Sequence, residues 1–129
     1  YNRASYDTGQ GCSTEAFVQP AGFVPNDMLP IKGPVVGYCG ALLQTRLDIS
    51  LIEKIALHNR AWQVVLVGPE DEAFKASALH GMANVHFLGS KPVADLPAYV
   101  QQFDVCINPQ VLNQMTIGNY PRKVGEYLA

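Results

Sequence analysis

"WQVVLVGPEDEAFKASALHGMANVHFLG", residues 62–89, decides the fold. It opens on a β-branched apolar run, 62–69, that stops at Gly-Pro. A helical pattern follows over 71–81 and closes on Gly81, and a second apolar run occupies 84–89. Both apolar runs are continuous rather than alternating, so each strand is expected to be covered on both faces. Strand, helix and strand joined by such short links form the unit of a parallel sheet.

The same unit continues in both directions. Upstream, "VVGYCG" (35–40) is a buried-strand candidate. "DISLIEKIALHN" (48–59) is helical, with Ile52, Ile55 and Ala56 along one stripe. Ser50 and Glu53 have capping-box spacing, with Asp48 as the competing cap. Downstream, "VADLPAYVQQF" (93–103) predicts a helix that buries Leu96, Tyr99, Val100 and Phe103, and "DVCINP" (104–109) predicts a fourth strand. After a polar loop, "NYPRKVGEYLA" (119–129) opens another helix, with Pro121 suited to its first turn. The expected fold is α/β: a Rossmann-like parallel sheet of at least four strands with helices on both faces, incomplete at its C-terminal end. Residues 1–30, rich in Gly, Pro, Ser and Thr, are expected to be a linker with a short turn at "STEAF". Residues 31–129 are expected to form the partial domain.

A chain of 129 residues is one domain's worth and buries roughly two thirds of its unfolded surface. Its net charge of −2, with acids and bases interspersed, argues against a general nucleic-acid or anionic-membrane surface. A local basic pocket is still compatible with that balance. The cysteines are Cys12, Cys39 and Cys106, an odd count without a CxxC pair. Cys39 and Cys106 lie in apolar strand-like runs and read as buried reduced thiols, which points to a cytoplasmic location. The sequence shows no signal peptide and no long apolar span. It also begins without Met, so both ends look cut, and membrane association is expected only through missing parts. His58, His80 and His86 have no zinc-ligand spacing, and no metal is expected. His86 reads as a packed or half-exposed strand residue.

In an open parallel sheet, ligands sit at the carboxyl ends of the strands near a switch in strand order. That face should hold residues 40–46, 68–71, 89–91 and 108–119. "GYCGALLQ" is not GxGxxG, and there is neither GxxxxGK[ST] nor GxSxG.

Taken together, "VVGYCGALLQTRLD", "WQVVLVGP", "NVHFLGSKPVADLPAYVQQFDVCINP" and "NYPRKVGEYLA" resemble the C-terminal, donor-binding domain of GT-B-fold glycosyltransferases. The similar group is the retaining, nucleotide-sugar-dependent "glycosyl transferases group 1" type. "GCSTEAF" resembles the linker that precedes such a domain. The resemblance implies a donor-binding part of a hexosyl-type glycosyltransferase, acting in glycan or polysaccharide synthesis with a nucleoside-diphosphate sugar as substrate and no cofactor. It also implies a missing N-terminal acceptor domain that holds the catalytic residues, and a fragment inactive alone.

The resemblance further implies site residues. Glu126 would accept hydrogen bonds from ribose hydroxyls; a surface pair with Arg122 is the competing reading. Lys123 would neutralise diphosphate together with N–H groups around Asn119 and Tyr120, or be a solvated lysine. Arg46 is a second phosphate candidate, or a partner of Asp48. Gly40 would admit the phosphate, or serve the turn alone. Leu88, Gly89 and Ser90 occupy the position that reads the nucleobase, and Thr116 and Asn119, with Asn113, would face sugar hydroxyls. Gly118 stands where many relatives carry a second glutamate, so the sugar is not assigned.

The rival readings are a non-catalytic nucleotide- or protein-binding α/β module and a dinucleotide-dependent oxidoreductase fragment. The latter lacks GxGxxG, and its nearest ribose acid, Asp71, lies in a turn rather than at a strand end.

Overall fold

The strand over residues 63–67 lies inside the sheet, as its continuous apolar run requires. The computed structural model of the chain describes residues 11, 14–118 and 121–129. Its strands are β1 (Val35–Cys39), β2 (Gln63–Val67), β3 (Val85–Gly89) and β4 (Val105–Cys106). They form one parallel sheet in the order β3-β2-β1-β4. The α-helices are α1 (Glu15–Val18), α2 (Ile49–His58), α3 (Glu72–Lys75), α4 (Leu96–Val100) and α5 (Arg122–Leu128).

The pleat sends alternate residues to opposite faces. Tyr38, Val64 and Leu66 pack with Ile52 and Ala56 of α2, Phe74 of α3, and Leu79. Val35, Cys39, Val65 and Val67 pack with Tyr99 of α4 and with Met28. Each fully buried Val or Leu contributes about 1.5–3 kcal/mol, and Val64, Val65 and Leu66 have no exposed surface at all. On the α4 face, Gly37 is required by packing: a Cβ there would lie 2.1 Å from the Phe103 ring.

Caps mark the helix starts. Asp48, not Ser50, caps α2 by accepting from Leu51 N at 3.0 Å. At the other end of α2, the Asn84 amide donates to the Ala56 and Trp62 carbonyls, each at 2.9 Å.

Several elements differ from expectation. The helix predicted over 71–81 is one α turn, α3, followed by a 3₁₀ turn, Ala78–Gly81. Phe74 and Leu79 are both buried, yet five residues along a continuous helix they would point about 140° apart. The break at 76–77, where the Ser77 hydroxyl donates to Phe74 O at 2.7 Å, turns Leu79 back to the core. Gly81 ends that 3₁₀ turn without a positive φ. The helix predicted over 93–103 is a 3₁₀ turn, Val93–Asp95, running into the short α4, with Pro97 in its first turn. Tyr99 is buried as expected, but it is joined by Pro97 and Ala98, whereas Leu96, Val100 and Phe103 are partly buried. The fourth strand pairs over two residues only, and Val105 is 53% exposed at the edge.

The expected linker is also shorter than its composition implies. Met28 is 5% exposed within the core. The Tyr99 hydroxyl donates to Asp27 at 2.9 Å, and Lys91 Nζ lies 2.6 Å from the same carboxylate. Gln101 holds Ala21 N, Phe17 O and Gln19 O. The stretch 14–30 is therefore docked along α4, while residues 1–10 and Cys12 lie outside the described residues. Cys39 is buried and Cys106 half-buried, both free. Burial pushes the Cys39 thiol up to about 12 and raises that of Cys106 as well, so both are poor nucleophiles. Among the described residues, no helix is long and apolar enough to cross a membrane.

Candidate functional site

β1 pairs with β2 on one side and with β4 on the other, so the chain reverses its strand order across β1. The loops leaving β1 and β4 diverge there, and this is where an open α/β sheet forms its ligand crevice. A cleft of about 400 Å³ occupies the place, within the size range of small-molecule sites. β1 and its loop supply Tyr38, Cys39, Gly40, Ala41, Arg46 and Leu47. The loop after β4 supplies Asn108 and Gln110, and α5 supplies Lys123 and Glu126 with Pro121 and Arg122 beside them. Val93, Leu96, Val100 and Phe17 form an apolar wall.

The β1 loop is pinned across the switch. Asp48 N donates to Pro109 O at 2.8 Å, and Val111 N donates to Arg46 O at 2.9 Å. Leu47 bridges to Gln110. Arg46 is thus held by its backbone against the β4 loop. The predicted Arg46–Asp48 pair does not form, because the Asp48 carboxylate caps α2.

Lys123 is the best-defined group of the cleft. Its ammonium lies 5.3 Å from the centroid of the Tyr38 ring, a cation–π contact. Its Cε occupies the space beside Gly40, where a Cβ would approach it to 2.3 Å. Gly40 also has φ +145°, so both the turn and the lysine require glycine. Burial lowers the Lys123 pKa; Glu126 partly restores it and Arg46 lowers it further. No ion pair to Lys123, and none between Arg122 and Glu126, forms among the described residues. Lys123 is thus partly buried against Tyr38, and Glu126 is not held in a pair with Arg122. Burial also pushes the Tyr38 phenol up to about 12.

Of the predicted site residues, the fold brings together Gly40, Arg46, Lys123 and Glu126. It places Leu88, Gly89 and Ser90 at the end of β3, the far edge of the sheet, and outside the cleft lining. Thr116 is 4% exposed and serves its own loop: its hydroxyl bonds Val111 O and accepts from Asn113 N. Asn113 donates to Thr45 O at 2.8 Å and so ties this loop to the one bearing Arg46. Asn119 and Tyr120 lie outside the described residues. Sequence reasoning placed 108–119 on the ligand face without singling out Asn108 and Gln110, and it missed Tyr38 and the apolar wall. Asn108 and Gln110 follow an apolar run on the predicted ligand face, so a signal for them existed. Tyr38 gave none, since an aromatic inside a buried strand reads as core.

Other groups are absorbed elsewhere. Asp71 Oδ1 accepts from Phe74 N at 2.9 Å and Oδ2 from Gln44 N at 2.8 Å, which leaves this acid without the role a dinucleotide ribose would need. His86 bonds Gln63 at 2.8 Å, and burial lowers its pKa. His80 pairs with Glu70 at 2.7 Å and stacks on Phe87 at 3.9 Å.

Residues 33–129 match the sequence model of the family described as Glycosyl transferases group 1. A protein of Bacillus subtilis (strain 168), whose name assigns it to teichuronic acid biosynthesis as the glycosyltransferase TuaH, is 28% identical over 102 residues. That match covers 76% of this chain and 25% of the relative. A crystal structure of Anabaena Alr3699/HepE in complex with UDP and glucose is similar at 24% identity and a TM-score of 0.46, over 57% of this chain and 22% of that one. The chain spans about a quarter of the length of the curated relative it matches.

Proposed function

The chain belongs to the Glycosyl transferases group 1 family, and from that premise we propose that its cleft binds a nucleoside-diphosphate sugar. The chain is then the donor-binding part of a hexosyl-type glycosyltransferase, and the name of the Bacillus relative supports a role in polysaccharide synthesis. The observation that carries the reading is Lys123. A half-buried ammonium, seated on Tyr38 and without an anionic partner among the described residues, faces the same cleft as Arg46 and Glu126.

Each group has a task on this reading. Lys123 and Arg46 oppose the diphosphate charge, which grows on the leaving group as the glycosyl bond breaks. The Glu126 carboxylate accepts from two vicinal ribose hydroxyls at once. Phe17, Val93, Leu96 and Val100 exclude water from one side of the cleft and strengthen those contacts. The cations carry the neutralisation, so the reading includes no metal or other cofactor. Residues 31–129 act as the donor domain. An N-terminal domain supplies acceptor site and catalytic residues, so the fragment alone does not turn over. The enzyme works in the cytoplasm, with no nucleic-acid partner.

Calorimetric titration of UDP, GDP, ADP and NAD into the chain tests this. One nucleoside diphosphate should bind selectively, with binding lost in Glu126→Ala and weakened in Lys123→Ala. NAD binding, or indifference to both substitutions, would sink the reading.

A further inference from the structure

α5 has seven residues, no side-chain N-cap and no fully buried residue, so little in the helix itself sets its orientation. Its attachment lies at the end of β1. Pairing between β1 and β4 stops at Val36–Val105 and Gly37–Cys106. Beyond that point the Cys39 amide needs another acceptor, because a buried backbone donor is rarely left without one. The Tyr127 hydroxyl provides it at 2.9 Å and lies 3.5 Å from Cys39 O. Burial raises the phenol's pKa, so it stays a neutral hydroxyl.

We infer that Tyr127 is a positioning residue: its hydroxyl, bonded to the backbone of Cys39, keys α5 to the end of β1 and so sets Lys123 and Glu126 in the cleft. Lys123 and Tyr127 are four apart and Lys123 and Glu126 three apart, so the three share one helical face. Rotating the helix far enough to break the Cys39 bond swings both cleft groups away together. The rest of the seat is the Tyr38 ring under the ammonium and the space left by Gly40. Three consecutive residues, Tyr38, Cys39 and Gly40, thus each receive one part of α5. The role in ligand binding rests on the donor-site reading; the latch itself does not.

Tyr127→Phe in the full chain removes only the hydroxyl, with Leu128→Ala, an exposed neighbour, as control. Amide hydrogen exchange at Cys39 and through α5 should quicken by at least tenfold in Tyr127→Phe, with β2 unchanged. The Lys123 titration, followed by NMR of labelled lysine, should move up toward that of an ordinary lysine. Affinity for whichever of UDP, GDP and ADP the unsubstituted chain binds should fall about tenfold. Leu128→Ala should move none of these. Unchanged exchange and Lys123 titration in Tyr127→Phe would overturn the latch. Movement of both with unchanged nucleotide affinity would overturn its positioning role. If the unsubstituted chain takes none of the three nucleotides, the donor-site reading fails, and the two ligand-free readouts still decide the latch.

Discussion

β2 and α5 are held in opposite ways. β2 has a strand on either side, and four of its five residues are buried between two helical layers. α5 has no fully buried residue; it is only partly covered, and its specific ties are one hydroxyl and one cation–ring contact. Stability is concentrated in the first and candidate chemistry in the second. A half-buried, incompletely paired cation is tolerable only where the surrounding packing is light enough to leave room for an anion.

The contrast breaks most visibly under Leu66→Ala. Leu66 is fully buried in β2, and the substitution should destabilise the chain by about 2–5 kcal/mol in urea unfolding. A loss below about 1 kcal/mol would mean that the sheet centre is not the stability core. Nucleotide affinity per folded molecule should stay unchanged.

A cap gives an intermediate effect. Asp71 receives two backbone N–H groups, so Asp71→Ala should cost about 1 kcal/mol, up to about 2. The bond from Phe74 N–H is the main cause of its lowered pKa. Its stabilisation is therefore full above the unfolded carboxyl pKa of 3.8 and is lost as pH falls through the lower folded value. Acid unfolding followed by circular dichroism should be shallower below that pH in Asp71→Asn.

Lys123→Met sharpens the contrast by reversing the sign. The lowered lysine pKa means that the unfolded chain binds more protons between the folded value and 10.5. Stability should thus rise with pH across that window, as burial of the charge is relieved. Lys123→Met should remove this slope and leave stability equal or slightly higher, while nucleoside-diphosphate affinity falls at least tenfold. A clear loss of stability would show that α5 is held by its lysine rather than by Tyr127.

The sheet was legible because each of its strands is short, mostly apolar and bounded on at least one side by Gly, Pro or Asp. The apolar runs at 35–36 and 64–67 show that pattern most plainly. The cap of α2 was legible only as a choice between Ser50 and Asp48, and the Asp71 cap of α3 was not read at all, although each is a local interaction over three residues. The place of Gly40 and Arg46 on the ligand face followed from the loop after β1, whereas Lys123 and Glu126, on α5, were singled out only by the family resemblance. The break after α3 was not legible, because it answers a demand that Phe74 and Leu79 share one core. The docking of 14–30 was also hidden, because Gln101 and Lys91 reach it from more than sixty positions away.

What the sequence determined alone is what depends on neighbours within a few residues: strand and helix character, glycine turns, and the order that makes a parallel sheet. Tertiary structure alone decided which distant groups meet. The Tyr127 hydroxyl finds Cys39 across 88 positions, and Lys123 finds the ring of Tyr38 and the gap at Gly40. A backbone donor left open where β4 ends, and the space left by a missing side chain, exist only once the strands are laid side by side.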